Sequence, residues 1–172
     1  MTHDLLVELK THLAKSMSEQ RKYWAQEIVD QDISLESLFS LWHGDRKTAQ
    51  RFMWLVGDLS SLAPDRVTPC MPFLFALRDE MPFPGMHRSV AKWLCDTNVP
   101  EEIRSDATKQ LFRWLKDADE EIGVKHYATK VLLNLSQQGH FSLSRLKTAL
   151  KTEAWHPNAA YRTRVQKLVD SL

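Results

Sequence analysis

Five segments of the chain open alike: Arg21-Lys-Tyr-Trp24, Arg51-Phe-Met-Trp54, Arg88-Ser-Val-Ala91, Lys125-His-Tyr-Ala128 and Arg162-Thr-Arg-Val165. In each, a basic residue is followed three positions later by an apolar or aromatic one. The basic residues step by 30, 37, 37 and 37. Seven residues beyond each base stand Ile28, Asp58, Cys95, Leu132 and Val169, mostly apolar again. Three then four is the spacing of one helix face, so one helix recurs once per period. A period of this length accommodates a helix pair. One pair cannot bury its own apolar face, so neighbours must stack to make a continuous core.

The preceding segments recur too. Ser37-Leu-Phe-Ser-Leu-Trp42 runs to Asp45, Pro72-Phe-Leu-Phe-Ala-Leu77 to Asp79, Leu111-Phe-Arg-Trp-Leu115 to Asp117, and Ser144-Arg-Leu-Lys-Thr-Ala-Leu150 to Glu153. An acid closes each first helix, six to nine residues before the base of the second. Other apolar stripes keep the same period, as in Leu5, Leu6, Leu9 and Leu13. No alternating run and no Asn-Gly or Asp-Gly hairpin signal interrupts them. Pro64, Pro100 and Pro157 stand where a first-turn proline needs no N–H donor. Gly44, Gly85, Gly123 and Gly139 fall between stripes. The expected fold is all-α, with helices over 3–16, 18–31, 34–43, 46–60, 65–80, 86–97, 101–117, 121–136, 142–154 and 158–171. Met81-Pro-Phe-Pro-Gly85 reads as a stiff turn between helices, or as a peptide for another domain to recognise.

These residues resemble the HEAT repeats of the armadillo-like superhelical class. That family joins a first helix ending in Leu-x-x-Leu and Asp to a second that opens with Arg, with Ala three and Leu seven residues on. Asp117, Lys125, Ala128 and Leu132 match, with Lys for Arg; Trp24 and Trp54 depart from the small residue, and Asp58 from the leucine. The resemblance implies an α-α superhelix of about five antiparallel helix pairs, one domain over 1–172, with a concave surface lined by the second helices. It also implies an internal ladder in which Arg21, Arg51, Arg88, Lys125 and Arg162 pair with acids such as Asp45, Asp79 and Asp117. The other reading of those bases is an exposed stripe for phosphates or an acidic peptide.

Composition narrows the function. Lys+Arg number 23 against 22 Asp+Glu, a net charge of +1, which argues against a strongly basic nucleic-acid arm. The hydrophobic fraction of 43% is enough for a core. Cys70 and Cys95 form neither a disulfide framework nor a zinc motif. His3, His12, His43, His87, His126, His140 and His156 contain no zinc-binding spacing. No phosphate-binding loop or nucleophile elbow occurs. No catalytic residue, metal or cofactor is therefore expected. The N-terminus lacks a signal-peptide pattern and no run reaches the ~20 apolar residues of a membrane span, so the cytoplasm is the expected location.

Trp42, Trp93 and Trp114 are expected in the core. Arg51, Trp54 and Asp58 share one helix face and form a candidate exposed group. Arg51, Trp54, Arg88, Lys92 and Lys130 are the candidate partner-binding residues. The expected function is a non-catalytic protein-interaction or scaffold module. The alternative is a nucleic-acid-binding protein, or an alkylated-base DNA glycosylase of the HEAT-like kind, which uses an aromatic groove, a carboxylate and an arginine. Lys92, four residues before Asp96, gives that acid a structural partner instead. Self-association through the apolar ends of the array is a third expectation.

Overall fold

The computed structural model describes residues 2–80 and 85–172, so all of the Met81–Gly85 turn except Gly85 lies outside the described residues. Among the described residues every regular element is helical. The α-helices are α1 (Thr2–His12), α2 (Ser18–Asp30), α3 (Arg46–Leu62), α4 (Pro64–Val67), α5 (Met71–Ala76), α6 (Met86–Asp96), α7 (Glu101–Lys116), α8 (Ile122–Gln137), α9 (Leu143–Thr152) and α10 (Ala159–Ser171). Short 3-10 turns extend several of them. The chain divides into two compact units, Met1–Pro100 and Glu101–Leu172.

In the first unit, α3 packs against both α2 and α6. Its sequence explains this. Phe52, Leu55 and Leu59 form one buried stripe and Ala49, Met53, Val56 and Ser60 another. Two apolar stripes on one helix need two packing partners. Trp24, Ala25 and Ile28 are buried from α2, and Val90, Ala91, Trp93 and Leu94 from α6. Asp45 starts α3 by accepting from the Lys47 and Thr48 backbone N–H groups at 2.9 and 3.2 Å. Those donors have no partner within the helix.

Two expected helices of this unit take another form. The segment expected over 34–43 is a 3-10 helix, Leu35–Leu41. Leu35, Leu38 and Leu41 are all buried and recur at intervals of three, which is the 3-10 repeat rather than 3.6. The segment expected over 65–80 is broken into α4, a 3-10 turn at Thr68–Cys70, α5 and a 3-10 turn at Leu77–Asp79. Pro69 and Pro72 cannot donate the backbone bonds a continuous helix requires, and each one's ring crowds the preceding turn.

In the second unit, α7 packs along α8, α9 contacts both, and α10 packs on α9. Ala107, Leu111, Leu115, Ala128, Leu132, Leu146 and Leu150 are fully buried. Arg145 covers the Phe112 ring at 4.4 Å, with Phe141 edge-on to it. Helix α8 ends at Gly139, whose φ of 82° is left-handed. There the His140 N–H returns to the Leu135 carbonyl at 3.0 Å, closing the helix terminus.

Candidate functional site

The α2–α3 contact brings together residues 37 positions apart. Arg21 Nε donates to Asp58 Oδ2 at 3.2 Å, and both side chains are largely buried. The Arg21 guanidinium also lies over the Trp54 ring at 5.2 Å. Arg51 lies over the same ring at 4.3 Å. One indole thus carries two guanidinium groups, each attracted by the ring's quadrupole. Arg21 is answered by a carboxylate. Among the described residues none stands within ion-pair distance of Arg51. Burial, then the nearby Arg21 charge, lowers the Arg51 pKa from its usual value. Trp54 itself is half-buried.

Beside this cluster, and sharing Asp58 with it, a cleft of 380 Å³ is lined by Lys22, Ala25, Gln26, Asp58, Ser61 and Leu62. Leu62 is 47% exposed, although the side chain is apolar. Arg51, Trp54, Asp58 and Leu62 follow one another on α3 at intervals of three, four and four, so they form a single stripe.

A second polar group ties α6 to α3. Lys92 Nζ donates to the Gly57 carbonyl at 2.9 Å, to Ser61 Oγ at 2.5 Å, and to Asp96. Asp96 also accepts from Ser60 and Ser61 at 2.8 and 3.1 Å. An ammonium has three donors and these three acceptors occupy them. Lys92 thus ties α6 to α3.

The remaining bases of the sequence ladder have different surroundings. Lys125 is completely buried; its Nζ donates to the Leu115 carbonyl at 2.9 Å and to Glu153 Oε2 at 2.7 Å. Leu115 lies in the last turn of α7, where carbonyls lack helical partners and the dipole is negative. Arg162 donates to the carbonyls of His156 and Pro157 at 2.6 and 3.0 Å. Arg88 is exposed on α6. The acids Asp45, Asp79 and Asp117 serve locally: Asp45 caps α3, Asp79 pairs with the adjacent Arg78, and Asp117 accepts from the Asp119 N–H. Lys130 is exposed on α8. Burial, followed by the charges of Lys130 and Arg164, lowers the pKa of the nearby His126.

Trp24, Trp42, Trp93 and Trp114 are all buried. The Trp24 indole N–H donates to Glu8 at 2.8 Å. Trp155, which sequence reasoning did not single out, is 89% exposed. A signal was there: Trp155 falls off the stripe of Leu146, Ala149 and Leu150 and stands just before His156-Pro157. Among the described residues no group of three or more His, Cys, Asp or Glu could hold a metal ion. Among them, too, no helix is long and apolar enough to cross a membrane. No family model, curated protein or solved structure matches the chain.

Proposed function

We propose that this protein is a non-catalytic protein-interaction module of the HEAT-like kind, and that the first unit meets its partner through α2, α3 and α6. The Arg51–Trp54–Arg21 cluster carries the reading. It joins the two side-chain types most often found at binding hot spots, tryptophan and arginine, on a helix already anchored by two neighbours. A rigid support of this sort lowers the ordering cost of binding. The ties from Arg21 to Asp58 and from Lys125 to Glu153 support the HEAT-like part, since each runs from one repeat of the sequence to the next. Lys130 is a separate candidate contact in the second unit.

Site-specific photocrosslinking in the source cells tests the reading. Crosslinkers at Leu62 and Arg88 are expected to capture one protein in stoichiometric amount, with nuclease treatment making no difference. Crosslinkers at Met17 and Thr148 are expected to capture nothing comparable. Equal capture from all four positions rejects the proposed face.

One observation favours a second reading, action on alkylated DNA. Trp54 and Asp58 lie four residues apart on α3 with Arg21 and Arg51 beside them, the residue types such a glycosylase uses. Release of methylated purines from alkylated duplex, lost in Asp58→Asn, would establish it. Duplex binding undetectable at low salt removes it.

A further inference from the structure

Resting on the interaction-module reading, we propose that the partner supplies an extended acidic peptide segment. One side-chain carboxylate docks on Arg51, and an aliphatic side chain about five residues away fills the cleft at Leu62. The argument begins with charge. Arg21, Arg51 and Asp58 sum to one positive charge: Asp58 answers Arg21, and among the described residues no carboxylate stands within ion-pair distance of Arg51. A guanidinium stacked on an indole keeps its N–H edge free for a planar acceptor, and a carboxylate fits that edge with two parallel hydrogen bonds. A carboxylate brings the single negative charge the cluster lacks. A nucleic-acid backbone running along α3 would bring repeated charge past the Asp58 carboxylate seven residues from Arg51.

The second contact follows from the stripe. Leu62 stands eleven residues beyond Arg51 on the same face of α3. At 1.5 Å per residue that is about 16 Å along the helix. An extended peptide advances about 3.3 Å per residue and covers the span in about five residues. The cleft there is large enough for one aliphatic side chain, with Ala25 and Leu62 supplying its apolar wall.

The test is a selection of random displayed dodecapeptides on the full chain. Enriched sequences are then made as fluorescein-labelled peptides and titrated by anisotropy. Enriched peptides are expected to carry Asp or Glu about five residues from Leu, Ile or Met. Arg51→Gln is expected to weaken binding at least tenfold. Replacing the peptide acid by its amide weakens it equally, and the two losses do not add. Arg51→Lys restores part of the affinity, since an ammonium cannot hold a carboxylate at two points. Leu62→Ser weakens binding several-fold, and Lys151→Gln on α9 leaves it unchanged. Should Arg51→Gln lose its helical circular dichroism, the peptide's own acid-to-amide exchange carries the test. Peptides that respond to Leu62→Ser but not to loss of their acid overturn the carboxylate assignment and leave the module reading standing. Tighter binding when phosphoserine replaces the peptide acid overturns it as well. Selected peptides insensitive to both Arg51→Gln and Leu62→Ser, or no enrichment at all, overturn both.

Discussion

Lys125 is the residue with most at stake in its partners. A buried ammonium needs acceptors around it, and here the Leu115 carbonyl and a Glu153 carboxylate oxygen take two of its three N–H groups. Lys125→Met keeps the volume but strands Glu153 as a buried anion. Urea unfolding should show a loss of about 3–5 kcal/mol. Lys125→Met with Glu153→Leu should recover most of it, because two apolar groups then replace two charges; a double variant no more stable than the single one would refute this account. Cys70 illustrates burial without chemistry. Burial, then its hydrogen bond to Glu36 and that carboxylate's charge, pushes the thiol pKa up to about 12. At pH 8 roughly one Cys70 in ten thousand is a thiolate by that value, and the thiolate is the reactive form. Alkylation of the folded protein at pH 8 should therefore leave Cys70 unmodified, while the urea-unfolded chain reacts there.

At the scale of the element, α3 depends on how it starts and on what crosses its middle. The Asp45 carboxyl is held below its ordinary pKa of 3.8, first by the Thr48 hydroxyl and then by backbone N–H groups. A carboxyl with a lowered folded pKa stabilises the protein above its unfolded value, and that contribution fades as pH falls through the folded value. Asp45→Ala should lower the melting temperature at pH 7, and the gap to wild type should close in acid. Gly57, farther along, is different. A Cβ there would meet Trp93 Nε1 at 3.5 Å, an ordinary contact. Gly57→Ala should then raise stability by about 0.5–1 kcal/mol, the usual helix-interior gain over glycine. A fall instead would mean that the α3–α6 crossing has no room for a methyl group.

At the scale of the whole molecule, the second unit contains its own closing interactions. Its fully buried leucines, the Arg145–Phe112 stack and the Lys125–Glu153 tie all lie within 101–172. The fragment 101–172 should show helical circular dichroism and a cooperative thermal transition. The shorter fragment 101–152, which lacks Glu153 and α10, should not. A non-cooperative transition in the longer fragment would mean that this unit depends on the first.

The helices were legible in the sequence because their signals are local. Spacings of three and four, a proline in the first turn of α4 and glycine at the end of α8 act within a few residues; Pro100 and Pro157, expected in first turns, instead stand just ahead of α7 and of the Asn158 cap of α10. The same logic fails at Leu35–Leu41, inside the helix expected over 34–43, where buried leucines recur at strict intervals of three, and at 65–80, where Pro69 and Pro72 interrupt the expected helix. The candidate site was only half legible. Arg51, Trp54 and Asp58 could be grouped because one helix carries all three. That Asp58 goes to Arg21 rather than to Arg51 depends on α2 lying against α3, a contact between side chains 37 positions apart. Likewise, five bases alike in spacing became two ion pairs at Arg21 and Lys125, an indole stack at Arg51, an exposed guanidinium at Arg88 and, at Arg162, a donor to two carbonyls. Local pattern selects the helix and the face each base occupies. Which opposite charge that face meets is decided by packing, because Coulomb energy depends on distance and burial, and the chain's own order encodes neither.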